Sequence, residues 1–359
     1  MTLVPFTPSL DRYRACLLAG AIGDALGAPV EFLTRREILR DFGPEGIREH
    51  APAYGRIAAI TDDTQMTLFT AEGLLRARGH ARARAGGGVA SPMPGREQCV
   101  ASVAQSYLQW LLTQHEMPAE HAHVDGLLGV AALHSRRAPG HTCLSALERL
   151  AHLPERARAL HASNGSKGCG GVMRVAPAGL FCAAQDLPEA ELVRASFALG
   201  ADLARITHGH PGGYLPGGML AALVALLVRE VPLPVALARA REALVTFDDH
   251  EETLRAINTA ERLAVQGTAH HDAMVSLGGG WVGDEALAMA LYCALAAESP
   301  ESALLVAVNH SGDSDSTGAI AGNLMGAQHG MGWIPARWLE GLELRGVIDA
   351  AATALAIAD

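Results

Sequence analysis

Two short acidic clusters, one toward each end of the chain, constrain the fold more than any other feature of the sequence. Thr61-Asp62-Asp63-Thr64 opens one helix-patterned segment, and Asp313-Ser314-Asp315-Ser316-Thr317 opens another. Each places two carboxylates and a hydroxyl at a helix N-terminus. Two readings stand side by side. Thr and Asp are favoured N-caps, and acids near a helix start complement its dipole. The same oxygen donors, free of sulfur and crowded imidazoles, also suit magnesium or manganese. If the fold joins the clusters, four carboxylates meet in one pocket, where they repel one another unless cations are bound. The pair then reads as a two-metal site built from both ends of a single domain, residues 1–359.

What kind of domain follows from the periodicity, which is helical almost throughout. Asp11 to Leu26 reads as a first helix and Asp62 to Arg78 as a second. Further helical stretches fall near 99–114, 124–135, 142–150, 188–206, 215–229, 233–245, 250–264, 284–297, 301–308, 317–327 and 342–357. Apolar residues make up 49% but aromatics only 4%, so the core is mainly Ala, Leu and Val, of which Ala and Leu favour helices. Alternating strand patterns are scarce and no fixed-period repeat is visible. The expectation is an all-α fold: a compact single-domain bundle of more than ten helices with a central di-metal cleft. Residues 79–97, with Ala-Arg-Ala-Arg, three consecutive glycines and two prolines, read as a mobile surface loop.

Composition also narrows the function. A net charge of −10 argues against a large nucleic-acid-binding face. The six cysteines are scattered without a CxxC pair, as expected of free thiols in a reducing compartment. No run of about 18 apolar residues suggests a membrane span, and the first ten residues lack a signal-peptide pattern. A cytoplasmic protein is the expectation.

The middle of the chain holds a second signal, Ser163-Asn164-Gly165-Ser166-Lys167-Gly168-Cys169-Gly170-Gly171, followed by Val172-Met173-Arg174. Four glycines in seven residues leave backbone N–H groups unshielded, and such a loop before a helix can cradle phosphate oxygens, with Lys167 and Arg174 adding charge. A tight turn that lets two helices pack closely explains the glycines equally well. In Thr207-His208-Gly209-His210 no cysteine or further histidine supports zinc; one imidazole instead bonds or stacks on a ligand, or caps a helix C-terminus. His270 and His271 read as surface residues just past a helix end. Trp281, in the loop Gly278 to Gly283, either stacks on a flat ring or covers its own core.

Taken in order, these segments resemble the ADP-ribosylglycohydrolase family. The resemblance is carried by Gly20-Ala21-Ile22-Gly23-Asp24-Ala25-Leu26-Gly27 with Glu31, by Thr61 to Thr64, by Gly168 to Arg174, by Thr207-His208 and by Gly312 to Thr317. It implies an all-α fold with two magnesium ions, replaceable by manganese, in a central cleft. It implies Thr61, Asp62, Asp63, Asp313, Asp315 and Ser316 as metal ligands, Ser316 standing where relatives often have threonine. It implies Glu31 as a mobile glutamate beside the metals, Gly165 to Gly171 with Met173 and Arg174 around the diphosphate and ribose, and His208 near bound ADP-ribose. Trp281 is a candidate for adenine stacking. Glu31, Asp62 and Asp63 are the candidates for proton transfer.

The implied activity is magnesium-dependent hydrolysis that removes ADP-ribose from modified protein side chains. The Gly-Cys-Gly around Cys169 resembles the arginine-specific branch, where the serine-specific branch tends to have asparagine. A cognate ADP-ribosyltransferase is a candidate partner. The alternatives are an O-linked (serine or O-acyl) or nucleic-acid-linked ADP-ribose, a phosphohydrolase cutting the diphosphate, and a silent ADP-ribose sensor. The intact acidic clusters argue against the sensor.

Overall fold

A computed structural model describes residues 9–84, 94–114, 126–153 and 161–357. The described residues are mainly helical, as expected. Sixteen α-helices occur among the described residues: α1 (Leu10–Gly27), α2 (Arg35–Phe42), α3 (Asp62–Arg84), α4 (Arg96–Thr113), α5 (His141–His152), α6 (Ala176–Ala183), α7 (Glu189–Arg205), α8 (Pro211–Leu227), α9 (Leu233–Leu244), α10 (Glu251–Val265), α11 (His270–Leu277), α12 (Gly283–Ala296), α13 (Pro300–Val308), α14 (Ser314–His329), α15 (Ala336–Leu339) and α16 (Arg345–Ala356). The sheet structure described is one two-stranded antiparallel hairpin, in which Pro52 pairs with Ile57 and Ala53 with Arg56.

The central contact is between α1 and α14, which run antiparallel with their backbones touching. A Cβ on Gly23 would lie 2.0 Å from the Gly318 carbonyl oxygen, and one on Gly318 would lie 2.5 Å from that of Gly23. Only glycine permits this approach. At the far end of α1, a Cβ on Gly27 would fall 2.4 Å from the Cα of Asp315. The helix pair therefore sets the C-terminal end of α1 directly against the first turn of α14. Behind it, α8 is buried from Leu215 through Leu227. It is apolar on all sides, as a helix at the centre of a bundle must be. No helix among the described residues is long and apolar enough to cross a membrane.

Several sequence expectations need correction. Residues 79–84 continue α3, and α4 begins at Arg96, so the expected surface loop is shorter at both ends; residues 85–93 lie outside the described residues. The stretch 124–135 contains two single-turn 3₁₀ segments, Leu127–Gly129 and Ala131–Leu133, rather than an α-helix. Helices α2, α6, α11 and the four-residue α15 lie outside the expected helical stretches. The first is short and starts on a capping box in which the Thr34 and Glu37 side chains each accept from the other's backbone N–H. His270 and His271 open α11 instead of trailing a helix.

Candidate active site

The close approach of α1 and α14 leaves room at their shared end for the start of α3, and the two acidic clusters meet there. Asp62 and Asp63 begin α3, while Asp313 caps α14 by accepting the Ser316 N–H at 3.3 Å. The cap reading and the cluster reading are therefore both true of Asp313. Glu31, on the turn after α1, completes the group: Glu31, Asp313 and Asp315 each offer a carboxylate oxygen within 4.8 Å of the others. All of these carboxylates are buried.

Burial and mutual repulsion favour the protonated form of each of these carboxyls. Burial raises the Glu31 carboxyl to about 10, and repulsion from Asp315, Asp313, Asp62 and Asp24 adds to it. Asp62, Asp63 and Asp313 are pushed well above the usual carboxylate range, burial first and the surrounding carboxylates next. Asp315 is raised by burial as well. Two buried oxygens, Glu31 Oε2 and Asp63 Oδ1, have no hydrogen-bond partner. Hard oxygen donors, clustered carboxylates and orphaned buried acceptors together fit a divalent cation, whose charge would restore ionisation.

Asp24, which belongs to the α1 motif in the sequence, has a place of its own in the structure. It accepts the Thr61 N–H on both oxygens at 3.0 Å and the Thr64 N–H at 3.1 Å, and it also accepts the Thr64 hydroxyl. It thus satisfies the free N-terminal amides of α3 from another helix. Burial and Asp315 raise its carboxyl to about 7, against the pull of these hydrogen bonds. A lone acid in the small-residue stretch of α1 was the signal for it. On the other flank, the Asp62 N–H donates to the Arg137 carbonyl at 3.3 Å. Arg137 in turn bonds the Ile60 carbonyl and pairs with the buried Glu343.

The cleft above the acids is lined by Glu31, Asp62, Asp63, Asp313, Asp315 and Ser316 at one end. Ala138 and Gly140 to Cys143 form one wall, and Gly168 to Gly170, Met173, His208 and Trp281 form the rest. Of the glycine loop, Gly168, Cys169 and Gly170 line the cleft, and much of the loop's backbone is already used. Ser166 N–H donates to Asn164, Gly168 N–H to Ser166 Oγ, and Cys169 N–H to the Trp281 carbonyl. The glycines also serve packing: a Cβ on Gly170 would lie 2.8 Å from Cys143 Sγ, and one on Gly171 2.6 Å from the Gly213 carbonyl. Gly165, Ser166 and Gly171 flank the lined wall, and Thr61 sits beneath it with its hydroxyl 3.3 Å from Asp63 Oδ2.

Two predicted charged contacts are placed elsewhere. Lys167 points away from the cleft and pairs with Glu252 at 2.6 Å. Arg174 is fully buried under the loop, stacked 4.5 Å from the Tyr107 ring. Cys169 donates its thiol to Asp313 Oδ2 at 2.7 Å, and burial raises the thiol further, which argues against a nucleophile. Trp281 is 45% exposed on the rim and stacks on Phe32 with centroids 6.0 Å apart, so it does not cover the core. Phe32, next to Glu31, was missed; a single exposed aromatic gives no sequence signal. His210 caps the N-terminus of α8 by accepting the Gly212 N–H at 3.0 Å, instead of closing a C-terminus.

The ADP-ribosylglycohydrolase family model matches residues 7–359. The chain belongs to that family of hydrolases, which remove ADP-ribose. It is 26% identical over 340 residues to ADP-ribosyl-(dinitrogen reductase) glycohydrolase of Rhodospirillum rubrum, covering 93% of this chain and 91% of the relative. It is 24% identical over 374 residues to ADP-ribosylhydrolase ARH3 of Bos taurus, covering 93% and 89%. A solved ADP-ribosylglycohydrolase-related protein complex superposes with a TM-score of 0.65 at 28% identity, covering 96% of this chain and 97% of that one.

Proposed function

We propose that this chain is a magnesium-dependent enzyme that cleaves the N-glycosidic bond between ADP-ribose and a modified arginine side chain. The observation that carries this reading is the meeting of Asp62 and Asp63 with Asp313, Asp315 and Glu31 beside the glycine loop. Thr61, Asp62, Asp63, Asp313, Asp315 and Ser316 would hold two magnesium ions, with manganese able to substitute. When bound, such ions supply charge stabilisation and orientation for the ribose hydroxyls and an attacking water.

The chain's own residues then divide the work. Asp24 fixes the start of α3, so that Asp62 and Asp63 project from a set position. Glu31 lies on a turn instead of in either helix cluster, and its Oε2 has no partner, so it is the carboxylate best placed to carry a proton. The main chain of Gly168 to Gly170 and the His208 ring bound the part of the cleft that would receive the diphosphate and ribose. Trp281 and Phe32 form an aromatic rim over the mouth. Arginine as the acceptor is supported by the Gly-Cys-Gly at Cys169, and a protein-linked ADP-ribose by the name of the Rhodospirillum relative. All six cysteines are free thiols, which supports a reducing compartment, the cytoplasm. The packing of α1 on α14 supports a single domain over 1–359.

The test offers purified protein ADP-ribosylarginine and ADP-ribosylserine peptides, with magnesium and with EDTA. Magnesium-dependent release of ADP-ribose from the arginine peptide supports the reading, and Asp62→Ala and Asp315→Ala then abolish it while remaining folded. Release from serine alone overturns the acceptor, release of AMP overturns the bond, and binding without release identifies a sensor.

A further inference from the structure

Beneath the glycine loop lies a buried chain of polar groups that the acidic centre does not use. Arg174, Thr207 and His208 are each at most 1% exposed. Arg174 Nη2 lies 2.6 Å from Thr207 Oγ1, and Thr207 Oγ1 lies 2.8 Å from His208 Nδ1. The protons in this chain can be assigned by counting donors. A guanidinium has only donors, so Thr207 Oγ1 accepts from Arg174. The threonine has one hydrogen to give, and its candidate acceptors are the Ala204 carbonyl at 3.5 Å, the Cys143 sulfur and His208 Nδ1 at 2.8 Å. The first is at the limit of a hydrogen bond, sulfur is a weak acceptor, and the ring nitrogen is well within reach. This count assigns His208 Nδ1 as the acceptor, without a proton of its own.

The other ring nitrogen faces the cleft. A Cβ on Gly168 would lie 3.0 Å from His208 Nε2, and one on Gly170 would lie 3.5 Å from it. Among the described residues no protein group bonds Nε2, and His208 lines the cleft. A side chain at Gly168 would crowd this nitrogen, and one at Gly170 would lie against the ring.

We propose that Arg174 and Thr207 are positioning residues that lock His208 as its neutral Nε2–H tautomer, presenting one fixed hydrogen-bond donor across Gly168 and Gly170 to an oxygen of the bound ligand. The ligand class is one offering an acceptor-only oxygen at that point, such as a phosphate or ribose oxygen of ADP-ribose. The ring does not become an imidazolium, because Nδ1 would then need an acceptor where Thr207 donates, and the Arg174 charge lies beside it. Burial and that charge bring the His208 pKa down to about 3, in agreement with a neutral ring. Arg174 thus contributes to the site through two other residues, although it touches no ligand. The identity of the ligand rests on the function proposed above, but the tautomer does not.

The experiment is nitrogen-15 histidine NMR of the whole protein, combined with titration of ADP-ribose. In the wild-type protein the His208 ring is expected to show a protonated Nε2 and a bare Nδ1. Thr207→Val, which has the shape but not the hydroxyl, is expected to release the tautomer and weaken ADP-ribose binding by about tenfold, the order of one lost hydrogen bond. Thr207→Ser is expected to restore both. A wild-type ring protonated at Nδ1 overturns the proposal without any variant, and so does unchanged ADP-ribose affinity in Thr207→Val. If the wild-type protein shows the expected tautomer but binds no ADP-ribose, the proposed function fails and the relay stands.

Discussion

The Asp24 carboxylate, on the first helix, accepts the backbone N–H of Thr61, the residue that leads into the third, at 3.0 Å from each of its oxygens. This bond ties the acidic cluster of α3 to the helix that packs on α14, and so to the other acidic cluster. Asp24→Asn replaces one of the accepting oxygens with a donor facing an N–H. The expected cost is about 1–3 kcal/mol of stability. Manganese affinity is expected to fall by roughly tenfold or more, as when groups that orient metal ligands are removed. Isothermal titration with manganese and urea denaturation measure the two, and unchanged values of both would show that the contact positions nothing.

The protonated acids predict how the metal-free protein responds to pH. A carboxyl whose folded pKa is raised holds a proton that the unfolded chain gives up, so its contribution is full below the unfolded pKa and is lost as pH rises through the folded one. For Glu31 that window runs from the ordinary 4.5 to about 10. His208 and His310 are depressed to about 3 and about 4 and act in the opposite direction, but only below the ordinary histidine value of 6.5. Between pH 7 and 9 the acids therefore dominate. In EDTA the melting temperature is expected to fall across this range, magnesium is expected to remove the slope, and Glu31→Gln is expected to reduce it without magnesium. A flat profile in EDTA would contradict the cluster's charge.

How much of this could be read from the sequence depended on whether a residue's partner was near it in the chain. The helices followed from local periodicity, and the acidic pairs were visible because each cluster is contiguous. The role of Asp24 is not legible locally, since the amides whose hydrogen bonds it accepts lie at the start of another helix. Arg174 and Lys167 were both read as charges for a phosphate because they flank a glycine loop. Burial against Tyr107 and Thr207 decided one, and pairing with Glu252 on α10 decided the other. The segment 124–135 has helical spacing, but Gly126 has a positive φ of 79° and only single 3₁₀ turns follow.

A second brace lies on the opposite side of α3. Arg137 and Glu343 form a buried pair, Arg137 donates to the Ile60 carbonyl at 2.8 Å, and Glu343 accepts the Ile60 N–H at 3.1 Å. Arg137→Met leaves Glu343 buried with only the half-exposed Arg56, 2.8 Å away, as a cationic partner. Removing one member of such a pair typically costs about 3–5 kcal/mol. Arg56 places this variant toward the low end. Adding Glu343→Met is expected to recover part of the loss and not all of it, because Ile60 loses its partners too. A denaturation double-mutant cycle measures the coupling, and additive effects would mean that the two side chains do not act as a pair.

The last prediction separates glycines that pack from glycines that merely occur in helices. Gly23→Ala drives a methyl to within 2.0 Å of the Gly318 carbonyl oxygen, and backbone on both sides leaves nothing free to rotate away. The two helices must separate, at a cost of about 1–3 kcal/mol or more. The displacement also moves the end of α1 away from Asp315, so metal affinity is expected to fall along with stability. Gly346, in α16, has nothing within 4 Å of its Cβ position, so Gly346→Ala is expected to stabilise by roughly 0.5–1 kcal/mol with metal affinity unchanged. Comparing the variants by urea denaturation and manganese titration ties the closeness of α1 and α14 to the acidic centre. If Gly23→Ala lost stability yet bound manganese as tightly as the wild type, the helix contact would be serving the core alone.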